Sequence, residues 1–150
     1  MKKYATLLLS SAILLSPITM AKMASADESV IAERQSNFKQ TGMAMRMMRG
    51  HIQAGDFEAI SASADAISNW AQAMPDFFPQ GTGPDDVSTR TAANQSIWDR
   101  WDEFTALAND NYDAAMTLKV AASNEDSGAV MEAMQNLGRT CGACHSPFKD

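Results

Sequence analysis

Cysteine and histidine are scarce in this chain, and their scarcity excludes several kinds of protein. Of the 150 residues, two are cysteine and two are histidine. Both cysteines, Cys141 and Cys144, lie in one short segment, which leaves none for a framework of structural disulfides. A closed zinc site needs four ligands and would have to use both cysteines together with His51 and His145. We therefore expect neither a disulfide scaffold nor a zinc domain.

Long apolar runs, strand patterns and enzyme motifs are missing as well. The most apolar stretch, residues 7–18, is too short to span a bilayer and has no charged stop after it. No segment is a convincing β-strand. The chain offers no paired carboxylates in a predicted pocket, no nucleophile beside a base and no phosphate-binding loop. Since function must be argued from a site, we do not expect an enzyme.

The first 26 residues have the features of a cleaved signal peptide. Lys2 and Lys3 are basic, the apolar run follows, and Ala24-Ser25-Ala26 provides a small-residue cleavage site. A retained membrane anchor is the alternative interpretation, which the short run disfavours. Cleavage would leave residues 27–150 as a single domain, in the periplasm of a bacterial host.

Acidic residues outnumber basic ones, and the formal net charge is −6. The predicted signal peptide carries Lys2, Lys3 and Lys22 and no acid, so its removal changes the charge from −6 to −9. An acidic surface argues against binding to nucleic acid or to anionic membranes. It suits solubility, and it would also suit docking to a basic partner.

The most informative segment is Cys141-Gly142-Ala143-Cys144-His145, which has the spacing of a c-type haem attachment motif. In a helix these three functional side chains share one face, so both thiols can reach one porphyrin edge while His145 ligates the iron. A redox dithiol would be expected beside a βαβ unit, and a disulfide would leave His145 unexplained. The motif therefore predicts one covalent haem c per chain.

Four amphipathic segments predict an all-α fold. The first runs from about Glu28 to Gly50, and the second follows Asp56 as its N-cap. A proline- and glycine-rich crossover, 75–95, separates them from a third helix at 96–123 and a fourth that carries both cysteines on its apolar stripe. This order predicts an antiparallel four-helix bundle with one long crossover loop and haem c inside it, attached to the C-terminal helix. Pro147 is expected to end or distort that helix.

A sixth iron ligand would have to come from upstream, because only residues 146–150 follow the motif. Among the eleven methionines, Met45 lies one heptad beyond Phe38 on the inner face of the first helix, and it is the best thioether candidate. Methionines in a helical core more often serve only in packing. We expect His51, the other imidazole, to be exposed to solvent.

The chain resembles the cytochrome c′ family, the class II c-type cytochromes, over essentially all of residues 27–150. The resemblance is carried by Arg34-Gln35 and Phe38 in the first helix, Phe78-Pro79-Gln80-Gly81-Thr82-Gly83-Pro84 in the crossover, Ile97-Trp98 at the start of the third helix, and Cys141 to His145.

The resemblance implies a role for individual residues. His145 would be the proximal ligand, and Phe38 would cover the distal face of a five-coordinate iron, because a phenyl ring has no lone pair to donate. Arg34 would pair with a haem propionate. Lys149 would be the basic residue on the proximal side, although Pro147 departs from the plain helical tail that the family pattern suggests.

Two functions of different classes stay open. One is electron transfer with redox partner proteins, through an iron that changes between the ferric and ferrous states. The other is binding of nitric oxide or carbon monoxide at the open iron position. The resemblance also suggests a homodimer through the first two helices. Met43 and Met47 would suit such an interface, but isolated exposed methionines are ordinary too.

Overall fold

The computed structural model describes the backbone of residues 20–150 and the side chains from Ser29 onward. Residues 1–19, most of the predicted signal peptide, lie outside the described part. Between residues 20 and 150 no helix is long and apolar enough to cross a membrane. The described secondary structure is helical apart from one isolated β-bridge. Its α-helices are α1 (Met20–Ala54), α2 (Phe57–Ala73), α3 (Ser96–Asp99), α4 (Trp101–Ser123) and α5 (Ser127–Phe148).

Four of these helices, α1, α2, α4 and α5, form the predicted four-helix bundle. Helix α2 packs extensively on α4 and α4 on α5, whereas α1 packs on α2 and barely touches α5. The short turns between α1 and α2 and between α4 and α5 make those pairs antiparallel. The bundle is therefore closed on three sides and open between α1 and α5.

Helix boundaries differ from the sequence prediction in places that have a local cause. Helix α1 starts at Met20, before the predicted start, and passes through Gly50 to end at Ala54. Gly55 ends it, because this residue adopts a φ of 66°, a conformation that glycine allows without steric cost. Helix α2 begins after Asp56, as predicted, and a short 3₁₀ turn, Met74–Phe77, continues it past Pro75.

The predicted third helix is broken in two. At Arg100 the backbone leaves the helical region (φ −124°, ψ 46°), so α3 ends at Asp99 and α4 begins at Trp101. Side-chain patterns do not encode this break. Helix α3 is instead held by the far end of the chain, since the Ser96 hydroxyl donates to the carbonyl of Pro147 at 2.8 Å.

The C-terminal residues are fastened to the crossover. The Asn94 amide donates to the Phe148 carbonyl at 3.0 Å, and the Asp150 amide donates to the Ala92 carbonyl at 3.1 Å. Pro147 lies inside α5, which ends one residue later at Phe148. The end of α5 is thus held by backbone hydrogen bonds to the last residues of the crossover.

The core has two parts of different composition. One is aliphatic and is formed by α1, α2, α4 and α5, with Met48, Ile60, Ile67, Leu118, Val130 and Leu137 among its buried members. The other is aromatic and lies toward the crossover. It contains Trp70, Met74, Phe78, Ile97, Trp98, Phe104, Ala108 and Phe148, with Phe38, Trp101 and Cys144 packed against it.

We expect that replacing Asp126 with alanine lowers the free energy of unfolding by about 1 kcal/mol, the usual contribution of an N-cap. Its carboxylate accepts from the amide of Ala129 at 3.0 Å and so satisfies one free donor at the start of α5. Urea unfolding would measure the loss. Asp110→Ala, an exposed change within α4, is the control and should leave stability within about 0.5 kcal/mol.

Candidate haem-binding site

A cavity of about 570 Å³ occupies the gap between α1 and α5, with the aromatic part of the core as its floor. This volume is in the range of small-molecule and cofactor sites. The structure brings together, in the lining of this one cavity, every residue that the sequence singled out for the site: Arg34, Phe38, Cys141, Cys144, His145 and Lys149. His51 is not part of the lining. It is half-buried rather than exposed, with its Nδ1 4.0 Å from Asp56.

Helix α5 presents the two thiols and the imidazole. Burial raises the pKa of Cys144 to about 11, with a further contribution from Cys141. Burial also raises the pKa of Cys141, opposed by a hydrogen bond from Asn111. Both side chains are free and half-buried, so they are neutral thiols at pH 7. Burial, followed by the charge of Lys149, lowers the pKa of His145, which favours the neutral imidazole that binds metals.

Helix α1 presents Phe38, and two aromatic rings hold it in position. The Phe38 ring meets Trp70 edge to face at a centroid distance of 5.1 Å, and Phe78 at 6.3 Å. Met45, the alternative ligand, is half-buried and lines the same cavity. Trp70 was not among the predicted site residues, because it falls between Ile67 and Ala71, the positions that the apolar repeat of α2 places inside.

Arg34, one turn before Phe38, fastens the crossover to α1. One terminal nitrogen donates to Thr82 Oγ1 at 3.0 Å and more distantly to the Phe77 carbonyl at 3.5 Å. The other donates to the Thr82 carbonyl at 2.8 Å and to Thr91 Oγ1 at 2.9 Å. The guanidinium also lies over the Phe78 ring, 4.7 Å from its centroid. These bonds occupy all four terminal N–H groups and leave only the Nε–H.

Arg34 is nevertheless a buried cation without an anion. Its side chain is 2% exposed, and among the described residues no carboxylate lies within ion-pair distance of it. Burial accordingly lowers the pKa of Arg34. Because a buried charge is costly unless it is paired, this arrangement favours an anionic group from outside the chain.

Asn111 in α4, another residue of the cavity lining, was not predicted either. The aromatic side chain of the adjacent Tyr112 makes that residue the expected inward-facing one on α4, but Tyr112 is only half-buried whereas Asn111 is 6% exposed. The Asn111 side-chain nitrogen donates to Thr140 Oγ1 at 2.8 Å and to Cys141 Sγ at 3.6 Å. Steps that alternate between four and three residues, counted from Phe104 through Ala108, place Asn111 at the inner position, and this is the signal that would have found it.

The lining fits a tetrapyrrole with two carboxylates. It contains the cations Arg34, Lys39 and Lys149, and none of its described residues is acidic. A side chain added at Gly138 would meet nothing within 4 Å, so a flat ring has room to approach α5 there. The buried indole Nε1 of Trp70 has no hydrogen-bond partner among the described residues, which leaves one donor for a bound group.

A four-helix bundle with two thiols and an imidazole on one helical face of an apolar cavity defines a c-type haem protein. Residues 29–149 match the family described as Cytochrome C', and the chain belongs to that family. The predicted cofactor, covalent haem c, is thereby confirmed. Cytochrome c-556 of Agrobacterium tumefaciens (strain II Chrys) is 36% identical over 123 residues, which cover 79% of this chain and 95% of that protein.

Solved structures share the fold. The cytochrome c′ of Thermochromatium tepidum matches with a TM-score of 0.75 at 23% identity, over 82% of this chain and 95% of that one. A nitric oxide complex of a variant of cytochrome c prime from Alcaligenes xylosoxidans matches with a TM-score of 0.71 at 20% identity, over 83% of this chain and 95% of that one. At these identities the likeness supports the architecture and no residue role.

The raised thiol pKa values predict slow alkylation of protein prepared without haem. With a pKa of about 11 in place of 9.0, folded Cys144 should react with iodoacetamide about 100-fold more slowly at pH 8 than it does in denaturant. Because the folded state holds this proton more tightly, its contribution to stability is present below pH 9 and is lost as the pH rises toward 11. Mass spectrometry locates the label. Equal rates in folded and unfolded protein would contradict the burial of this thiol.

Proposed function

We propose that this chain is a periplasmic electron-transfer protein whose haem is joined to Cys141 and Cys144 through thioethers. The observation that carries the proposal is the presence of both thiols and the His145 imidazole in the lining of one apolar cavity. When bound, haem supplies an iron that changes between the ferric and ferrous states. The chain holds the ring at two points, offers the neutral His145 nitrogen to the iron, and keeps water away with its aromatic walls.

We assign the opposite side of the iron to Phe38. Its ring offers no lone pair, and its contacts with Trp70 and Phe78 oppose its displacement. The iron would then be five-coordinate with His145 as its only protein ligand. Met45 is the competing assignment, because its thioether lines the same cavity and has a lone pair to donate.

We assign Arg34 and Lys149 to the charges of the cofactor. Arg34 lines the cavity and retains its positive charge, while its terminal N–H groups are already bonded, so it would stabilise a propionate mainly through charge. Lys149 follows α5 directly, where its amide donates to the His145 carbonyl at 3.2 Å. A cation at this place favours the neutral imidazole and would complement the second carboxylate.

Binding of nitric oxide or carbon monoxide is the second candidate function. An iron with no sixth protein ligand would have an open position, and Phe38 would restrict what enters it. The nitric oxide complex of the Alcaligenes protein, which has the same fold, motivates this alternative. In either role we propose that the chain is not an enzyme. Its partners would be redox proteins or diatomic gases, and a homodimer would form through α1 and α2, where Met43 and Met47 are 45% and 56% exposed.

An optical spectrum tests the site most directly. We expect ferrous holoprotein to show a five-coordinate, high-spin spectrum that changes when nitric oxide is added, because no methionine occupies the sixth position. A reversible one-electron titration would support the electron carrier. A low-spin spectrum that ignores added gas would reject the open site and favour Met45 as a ligand. Colourless exported protein with both thiols titratable would reject the whole assignment.

Replacing Phe38 with alanine should speed the entry of carbon monoxide by about tenfold or more, since a ring that blocks the path adds at least about 1.4 kcal/mol to the barrier. Stopped-flow absorbance of the ferrous protein measures this rate. Phe57→Ala is the matched control, because Phe57 packs in the aliphatic part of the core and does not line the cavity. Equal rates in the wild type and Phe38→Ala would remove Phe38 from the distal side.

A further inference from the structure

Asn111 is a polar residue at a position where the bundle otherwise uses apolar ones. The inner face of α4 advances by alternate steps of four and three residues through Phe104, Ala108, Asn111, Ala115 and Leu118. The other four are at most 2% exposed, and Asn111 is 6% exposed. A buried amide at a seam position lowers stability unless its hydrogen bonds are satisfied, so its partners indicate what it is used for.

Both partners of the Asn111 nitrogen belong to α5 at the haem attachment motif. It donates to Thr140 Oγ1 at 2.8 Å and to Cys141 Sγ at 3.6 Å. The Thr140 hydroxyl in turn donates its proton to the Leu137 carbonyl at 2.8 Å, so toward Asn111 it acts as the acceptor. One N–H of the Asn111 side-chain amide donates to Thr140, and its second N–H is the one that donates to the Cys141 sulfur.

The two cysteines therefore differ in their surroundings. In the part of the chain that the structure describes, Cys141 Sγ accepts a hydrogen bond from α4, and no such donor reaches Cys144 Sγ. Cys144 lies instead against the aromatic part of the core. The spacing of the motif makes the two attachment points look equivalent, and the structure makes them different.

We propose that Asn111 is a positioning residue for the haem: it fixes the Cys141 sulfur and places the positive end of an amide dipole beside that thioether. A sulfur held from a second helix sets the position of one edge of the ring relative to α4 as well as α5. The dipole stabilises the ferrous state, which carries one positive charge fewer at the iron. The inference rests on attachment at Cys141 and holds for either proposed role of the iron.

The test is the midpoint potential of holoprotein carrying Asn111→Leu, a change of similar size without a donor. We expect a lower potential, with the reduction equilibrium shifted about two- to tenfold toward the ferric form, at most the size of one neutral hydrogen bond. Asn111→Ala is the second variant and should shift the potential in the same direction. Alanine is already present at the neighbouring seam positions 108 and 115, so this variant is compatible with the helix.

Thr140→Val is the matched control, because it removes the other bond of the amide and leaves the donor toward sulfur. We expect its potential to stay near that of the wild type, even where its melting temperature falls. If Thr140→Val shifts the potential as much as Asn111→Leu does, the effect belongs to packing between α4 and α5 and the proposal is wrong. Unchanged potentials in both Asn111 variants would also overturn it. Either result, in red protein that titrates reversibly, leaves the electron-carrier proposal intact.

Discussion

The constraint on which this structure depends is the separation of α1 from α5. A four-helix bundle normally closes by packing each helix on two neighbours, and here three of the four interfaces are packed while the fourth is replaced by a cavity. The apolar faces that α1 and α5 would present to each other stay exposed to the cavity until another apolar body covers them. A covalently held macrocycle would supply that body and complete the core at the same time.

The charged residues that line the cavity differ in sign from the chain as a whole. The chain carries a formal charge of −6, yet the charged residues that line the cavity are all cations. Arg34 is the extreme case, since it is buried and fastened to the crossover by neutral oxygens alone. Neutral acceptors fix its position without cancelling its charge, so the charge stays available for an anionic cofactor. The acidic residues of the described chain lie outside the cavity lining, and on the surface such charges aid solubility.

The attachment motif and the helical periodicity were enough to predict the bundle and the face of α5 that lines the cavity. Both signals are local, since they depend on spacing within one helix. The break at Arg100 was not predictable, because it depends on backbone angles that the surrounding side chains do not specify. The partners of Arg34 could not be predicted either, since Thr82 and Thr91 reach it only after the crossover has folded across α1.

Asn111 and Tyr112 show how a small error in periodicity changes an assignment. Counting four residues from Ala108 places the aromatic Tyr112 inside, and counting three places Asn111 there. Hydrophobicity favours the first count, and the structure adopts the second. A polar residue at such a position is overlooked because its reason for being there, two acceptors on α5, lies about thirty residues away along the chain.

The crossover contacts both walls of the cavity within a few residues. Thr91 accepts from Arg34 on α1, while Asn94 and Ala92 form backbone hydrogen bonds to Phe148, the last residue of α5, and to Asp150. The end of the crossover therefore links α1 to the end of α5 and limits the distance between these two walls of the cavity. Any shift of the terminal turn that bears His145 acts directly on the segment bound to α1, without passing through the packed helices behind.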